Sequence, residues 1–198
     1  MNDLFVPFPK MARLSRPCTI SEKLDGTNAS ITITEDGRML VGSHTRWITP
    51  TNDNYGFAKW VEAHRDELFT LPVGTHFGEW WGAGIQRGYG GHPKTFSLFN
   101  TYRFCLAMFA PKLLTVTTTN AGATYQHQLP VCCSLVPVLE EGPFETSLVQ
   151  RVVDELKENG SEAAPGYMNP EGVVIYHSAS GSYFKKTIDG DHAPKSTL

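Results

Sequence analysis

Ser21-Glu22-Lys23-Leu24-Asp25-Gly26-Thr27-Asn28 is the stretch that decides how this chain is read. It lies between two segments rich in β-branched residues and holds a lysine, a carboxylate and a turn glycine within four positions. Lys23 is well placed there to be a nucleophile. To attack phosphorus its amine must be deprotonated near neutral pH, far below the ordinary ~10.4, which needs desolvation or a nearby positive charge such as a bound metal. Asp25 and Gly26 would then hold a ribose hydroxyl and turn the backbone close to it. The alternative is a surface β-turn with Lys23 and Asp25 in solvent, and the four-residue pattern alone does not decide between them.

Working outward, strand-like segments recur at roughly 17–24, 28–34, 38–42, 74–81, 95–109, 130–139, 171–177 and 181–188. Two segments carry helical period instead. Phe57, Trp60, Val61, His64 and Leu68 mark one face, and Leu148, Val149, Val152, Val153 and Leu156 mark another, with Gly160 as the stop. His64 on such a face reads as a core or boundary histidine rather than a ligand. Turn signals at Asp36-Gly37, Asn120 to Gly122, Glu141 to Pro143 and Asn159-Gly160 punctuate the chain evenly, without repeats, so residues 1–198 read as one continuous domain. The acidic residues Glu140, Glu141, Glu145, Asp154, Glu155, Glu158 and Glu162 read as a solvated outer face.

With 198 residues, 40% apolar and 19% charged, the chain can bury a core and is neither disordered nor a coiled coil. No run approaches the ~18 apolar residues of a membrane span, and the first residues lack the apolar stretch of a signal peptide, so no membrane and a cytoplasmic setting are expected. Cys18, Cys105, Cys132 and Cys133 have no CxxC spacing, which argues against zinc or redox motifs. A net charge of -3 argues against a surface that clamps nucleic acid everywhere, leaving room for a local basic groove.

Four more stretches, in a fixed order after the lysine, sharpen the reading. Gly78-Glu79-Trp80-Trp81-Gly82 comes next, then Phe96-Ser97-Leu98-Phe99-Asn100, Pro170-Glu171-Gly172-Val173-Val174 and Tyr183-Phe184-Lys185-Lys186-Thr187. This series resembles the covalent nucleotidyltransferase superfamily of ATP-dependent DNA and RNA ligases and mRNA capping enzymes: KLDG resembles motif I, GEWW motif III, FSLFN motif IIIa, EGVV motif IV and FKK motif V. The string EKLDGTN looks most like the RNA ligase 2 family.

The resemblance implies an α+β nucleotidyltransferase domain, ATP-grasp-like, of two antiparallel sheets with flanking helices around a nucleotide cleft. It implies that Lys23 attacks the α-phosphate of ATP to form lysyl-AMP, that Glu22 lies beside the adenine, that Asp25, Gly26 and Glu79 meet the ribose, and that Phe99 stacks on the base. For Phe99 a core position is an even alternative. Glu171 would organise Mg2+ or Mn2+, and Lys185 would neutralise the α-phosphate. The family form of motif V is Lys, any residue, Lys, and Lys186 stands one position early, on the other face of a strand, so Lys185 is preferred with Lys186 in reserve. At motif Ia, Ser43 is followed by His44 where the family has a basic residue; Arg46, two residues on and on the same strand face, is preferred. Asn28 would serve near the 5′-phosphate of a nick, or else simply open the strand. The glycine-rich run 81–91 fits neither nucleotide fingerprint; as a flexible loop, its Arg87, with Tyr89, His92 and Lys94, would touch a polynucleotide, or be solvated.

Only eleven residues follow Thr187. The resemblance therefore implies no oligonucleotide-binding barrel and no motif VI, with an accessory protein or a dimer replacing that clamp. The expected function is an ATP-dependent polynucleotide ligase acting on RNA ends or nicks. The alternatives are a DNA ligase or other adenylyltransferase, or a non-catalytic nucleotide- or RNA-binding module; a phage origin is suspected.

Overall fold

The computed structural model describes residues 7–101 and 129–189, together with the backbone of a short hairpin, β6 (Val116–Thr117) and β7 (Thr124–Tyr125). One sheet has the order β11-β10-β1-β9, built from β1 (Pro17–Lys23), β9 (Val138–Pro143), β10 (Gly172–His177) and β11 (Ser182–Thr187). The other has the order β3-β2-β4-β5-β8, built from β2 (Thr27–Ile33), β3 (Met39–Ser43), β4 (Gly74–Trp81), β5 (Thr95–Leu98) and β8 (Cys133–Leu135).

Helix α3 (Thr146–Asn159) covers the first sheet, burying Val149, Val152, Val153 and Leu156 against Cys18, Ile20, Val173 and Ile175. Each such side chain contributes roughly 1.5–3 kcal/mol on burial, which outweighs the small helix penalty of its β-branched valines. Gly160 ends it with φ 83, as expected from the glycine stop. On the second sheet, Ile31, Trp80, Phe96 and Leu98 pack with Phe57, Val61 and Leu68. The helix expected there is broken into α1 (Phe57–Ala63) and α2 (Arg65–Leu68). The break is at His64, whose ring Nδ1 sits 2.8 Å from the Trp60 carbonyl and whose backbone leaves helical geometry at φ -112, ψ 22. It is a boundary histidine.

Two expectations are corrected. The strand expected over 95–109 ends at Leu98, and 102–109 lie outside the described residues. The strand expected over 130–139 is two strands in different sheets, parted around Pro137, which has no N–H to give a ladder. The first of these, β8, runs parallel to β5 while the other pairs are antiparallel. β8 therefore starts beside the starting end of β5, with Cys133 opposite Phe96.

The connection from β1 to β2 is also the passage from one sheet to the other, so Leu24, Asp25 and Gly26 sit at the junction. A third small core of Leu24, Trp81, Tyr89, Val136 and Ala164 lies beneath it. A Cβ on Gly26 would collide with the Trp80 carbonyl oxygen and come within 2.7 Å of the Trp81 Cβ, so only glycine lets this turn lie flat on β4.

Candidate active site

A cleft of about 830 Å3 opens where the two sheets meet, lined from the first sheet by Lys23, Val174 and Lys185 and from the second by Asn28, Glu79 and Phe99. That is the size of a small-molecule site. β1 and β10 run antiparallel with Lys23 opposite Gly172, so Lys23 and Glu171 meet where the ladder ends. Lys23 Nζ donates to Glu171 Oε2 at 2.5 Å, and the two side chains are 19% and 8% exposed. Gly172 has φ 151, and any side chain there would run into the Lys186 carbonyl, which explains a glycine directly after the carboxylate.

Glu79 stands across the cleft on β4, paired in register with Asn28. Its Oε1 accepts the Gly26 N–H at 3.0 Å and its Oε2 the Asn28 side-chain amide at 3.5 Å. Burial pushes its carboxyl up to about 7, against the pull of the Gly26 N–H and the Lys23 charge. Phe96, Ser97 and Leu98 are buried, whereas Phe99 is 39% exposed on the cleft wall.

Strand alternation sorts the two lysines of β11. Tyr183 and Lys185 line the cleft, while Phe184 and Lys186 line a groove on the opposite face with Leu14 and Val149. Lys186 is thus removed from the nucleotide-facing set. The preference for Arg46 is likewise corrected, because β3 stops at Ser43 and the chain turns back, with the Ser43 N–H donating to the Arg46 carbonyl at 2.8 Å. The Arg46 guanidinium donates to the carbonyls of Asn52 and Asp53 at 3.1 and 3.3 Å, and His44 is the residue on the cleft.

Glu22 lines the cleft as well, next to Lys23 on β1. Its side chain is almost wholly enclosed, 1% exposed. Its carboxylate accepts from Ser161 Oγ at 2.6 Å and from the Glu162 and Ala163 N–H groups at 2.9 Å each. It ties down the loop after α3. Burial still raises its carboxyl, against those three donors.

The glycine-rich run is a brace and not a free loop. Arg87 Nε donates to Asp25 Oδ2 at 3.1 Å, and Tyr89, buried with φ 45, accepts the Asp25 N–H on its hydroxyl at 2.7 Å. His92 stacks on Trp81 with centroids 4.5 Å apart, and Lys94 donates to the Tyr55 carbonyl at 2.7 Å. All four residues expected to face a polynucleotide are engaged within the fold. Phe77 and Tyr183, two residues before Glu79 and Lys185 on their strands, also line the cleft. Period-two reading of those strands would have found them, whereas nothing local signals the Tyr89 contact.

Among the described residues no three of His, Cys, Asp and Glu gather into a metal cage. The carboxylate of Glu171, beside Lys23, fits an ion of the Mg2+ type, which keeps its waters and takes one or two carboxylates together with a ligand's phosphates.

The family model described as RNA ligase matches residues 16–187. No curated protein sequence matches the chain. Among solved structures, an apo mutant of the Naegleria gruberi RNA ligase aligns with TM-score 0.56 at 16% identity, over 87% of this chain and 50% of that one. Mutants of the same ligase solved with ATP and Mn and with AMP and Mn each align with TM-score 0.55 at 15% identity, over 88% of this chain and 50% of theirs. The chain therefore spans about half the length of these ligases, and at this identity the likeness is one of fold.

Proposed function

The chain belongs to the RNA ligase family, whose model covers residues 16–187, and from that premise we propose that its cleft is the adenylylation centre of an ATP-dependent RNA ligase with a nucleotidyltransferase fold. The observation that carries the reading is the 2.5 Å Lys23–Glu171 pair in a nucleotide-sized cleft that also presents Glu79, Phe99 and Lys185.

In the first step the neutral amine of Lys23 attacks the α-phosphorus of ATP. A P–N bond forms, the bond to the bridging oxygen breaks, pyrophosphate leaves and the ammonium proton is lost to solvent. Phe99 offers a face for the base, typically worth ~1–3 kcal/mol. Glu79 and the Gly26 turn meet the ribose, with Asp25 beside them. Lys185, on the same sheet as Lys23, offsets charge building on the phosphate. Mg2+ or Mn2+, held through Glu171 and the phosphates, would favour the neutral amine and shield the triphosphate. A 5′-phosphate oxygen of the acceptor then takes the AMP from Lys23, and a 3′-hydroxyl attacks that 5′-phosphorus, sealing the strand and releasing AMP. Asn28 and His44, at the cleft rim, serve the acceptor phosphate.

Acceptor binding leans on further surface, from an accessory protein or a second copy, because neither Arg46 nor Arg87 lines the cleft. No helix among the described residues is long and apolar enough to cross a membrane. Cys18, Cys132 and Cys133 are free thiols, which supports a reducing, cytoplasmic setting.

Incubation with α-labelled ATP and Mg2+ tests the reading: one AMP is expected on the wild-type chain and none on Lys23→Ala. Absence of label on folded wild-type protein would overturn it. Sealing of nicked RNA, DNA and mixed duplexes then identifies the acceptor, and sealing of DNA alone would remove the RNA assignment.

A further inference from the structure

We propose that Arg87 is a positioning residue for the Lys23–Glu171 pair, clipping the turn that follows the lysine to the loop that precedes the glutamate; the proposal rests on the ligase reading above. The β1–β10 ladder, which holds Lys23 opposite Gly172, ends there. Beyond that rung Leu24 and Asp25 leave on one side and Asn169 and Pro170 approach on the other, and Pro170 has no N–H to extend the pairing. Lys23 is held by that last rung and the Glu171 carbonyl accepts the Ile188 N–H at 3.0 Å, but no rung of the β1–β10 ladder joins Asp25 to Asn169.

Arg87 bridges that gap. Its Nε donates to Asp25 Oδ2 at 3.1 Å, and its Nη1 donates to the Asn169 carbonyl at 3.0 Å and to Asn169 Oδ1 at 2.8 Å. One planar guanidinium thus holds both strand extensions at once, which a lysine ammonium cannot do with the same fixed geometry. The clip is itself held rigidly. Gln86 and Tyr89 have φ 44 and φ 45, costly backbone for residues other than glycine that persists only where the surroundings over-determine it. Ile85 anchors one side in the core at 0% exposure, and the Tyr89 ring packs against Trp81 and Tyr167 on the other. Tyr89 also takes the Asp25 N–H, so this one loop holds both the backbone and the carboxylate of the residue two places after the nucleophile.

Arg87 does not line the cleft, so its effect is expected on the rate of attack and not on nucleotide affinity. Displacement of a reacting group by about 1 Å can cost ~10²-fold. The test is single-turnover adenylylation over a range of ATP concentrations for wild type, Arg87→Met, Arg87→Lys and Asn169→Ala. In Arg87→Met the maximal rate should fall roughly 10- to 100-fold with half-saturating ATP changed less than about threefold, and Arg87→Lys should recover only part of it. An unchanged maximal rate in folded Arg87→Met, or a loss seen only in half-saturating ATP, overturns the proposal. If Arg87→Met does not fold, Asn169→Ala, which removes only the 2.8 Å contact, carries the same comparison with the same two outcomes. Amide exchange over residues 24–26 and 169–171 gives a readout independent of ATP. A wild-type chain that takes no AMP is the failure of the ligase reading, and exchange there still decides the clip: faster in Arg87→Met supports it, unchanged refutes it.

Discussion

Lys23 Nζ lies 2.5 Å from Glu171 Oε2 although the two residues are 148 positions apart, joined by the last rung of one antiparallel ladder. The carboxylate is 8% exposed, so the contact lies in a setting where charge is poorly screened. Glu171→Gln keeps the size of the side chain and removes its charge. Lys23 adenylylation is expected to slow by about 10²–10³-fold, the range typical of losing one preorganised electrostatic contact. Glu140→Gln, on the exposed pair with Arg151, is expected to leave the rate unchanged. Rapid-quench measurement of AMP label on both variants checks this, and equal effects would mean that the charge at Glu171 has no special place.

Glu79 makes stability depend on pH in a direction opposite to that of a salt-bridged carboxylate. Its carboxyl rises from 4.5 to about 7 on folding because burial disfavours the charged form. The folded state therefore binds more protons than the unfolded chain between those values, and stability must fall as pH rises through them. The full contribution, at most about 3 kcal/mol, is present below pH ~4.5 and gone above pH ~7. Glu79→Gln cannot titrate. Urea melts at pH 5 and pH 8 should show a loss in wild type that is smaller in Glu79→Gln, where buried Glu22 still contributes in the same direction, and parallel pH dependence in the two proteins would contradict the assignment.

How much of the fold and site is legible in the sequence depends on how local each signal is. Lys23, Glu79 and Lys185 stand in short patterns on strands and Glu171 directly before one, and alternation alone assigns Lys185 and Lys186 to opposite faces, as the structure has them. Arg46 is misplaced when the same alternation is carried past Ser43, where β3 has already ended. Glu22 and Arg87 escape a local reading for a different reason. Their partners, Ser161 and Asn169, lie 139 and 82 positions away, and no pattern near either residue announces them. The parallel β5–β8 pair is of this second kind, since strand composition does not encode pairing direction.

The two adjacent lysines of β11 offer a test in which composition hardly changes. Lys185 faces the cleft with Tyr183, and Lys186 faces the groove beside α3 with Phe184. Lys185→Ala is expected to reduce AMP transfer to Lys23 by about 10²-fold or more, and Lys186→Ala by less than about threefold. Rates for the two variants under identical saturating ATP decide it. The reverse order would mean that the register of β10 and β11, with Val174 opposite Lys185, is off by one residue.

Phe96 and Phe99 come from one four-residue stretch yet do different work, because β5 ends between them. Phe96 is fully buried against Phe57 and Trp80's cluster, while Phe99 is 39% exposed on the cleft. Phe96→Ala is expected to destabilise the fold by about 3–5 kcal/mol through a cavity the core cannot fill. Phe99→Ala removes little packing, so its stability is expected to stay within about 1 kcal/mol of wild type. Its cost appears in binding instead, weakening ATP by roughly 1–3 kcal/mol, or about 5- to 150-fold, if the ring carries the base. Calorimetric titration of ATP into Lys23→Ala and into Lys23→Ala with Phe99→Ala separates binding from chemistry, and equal affinities would leave Phe99 without a role in holding the base.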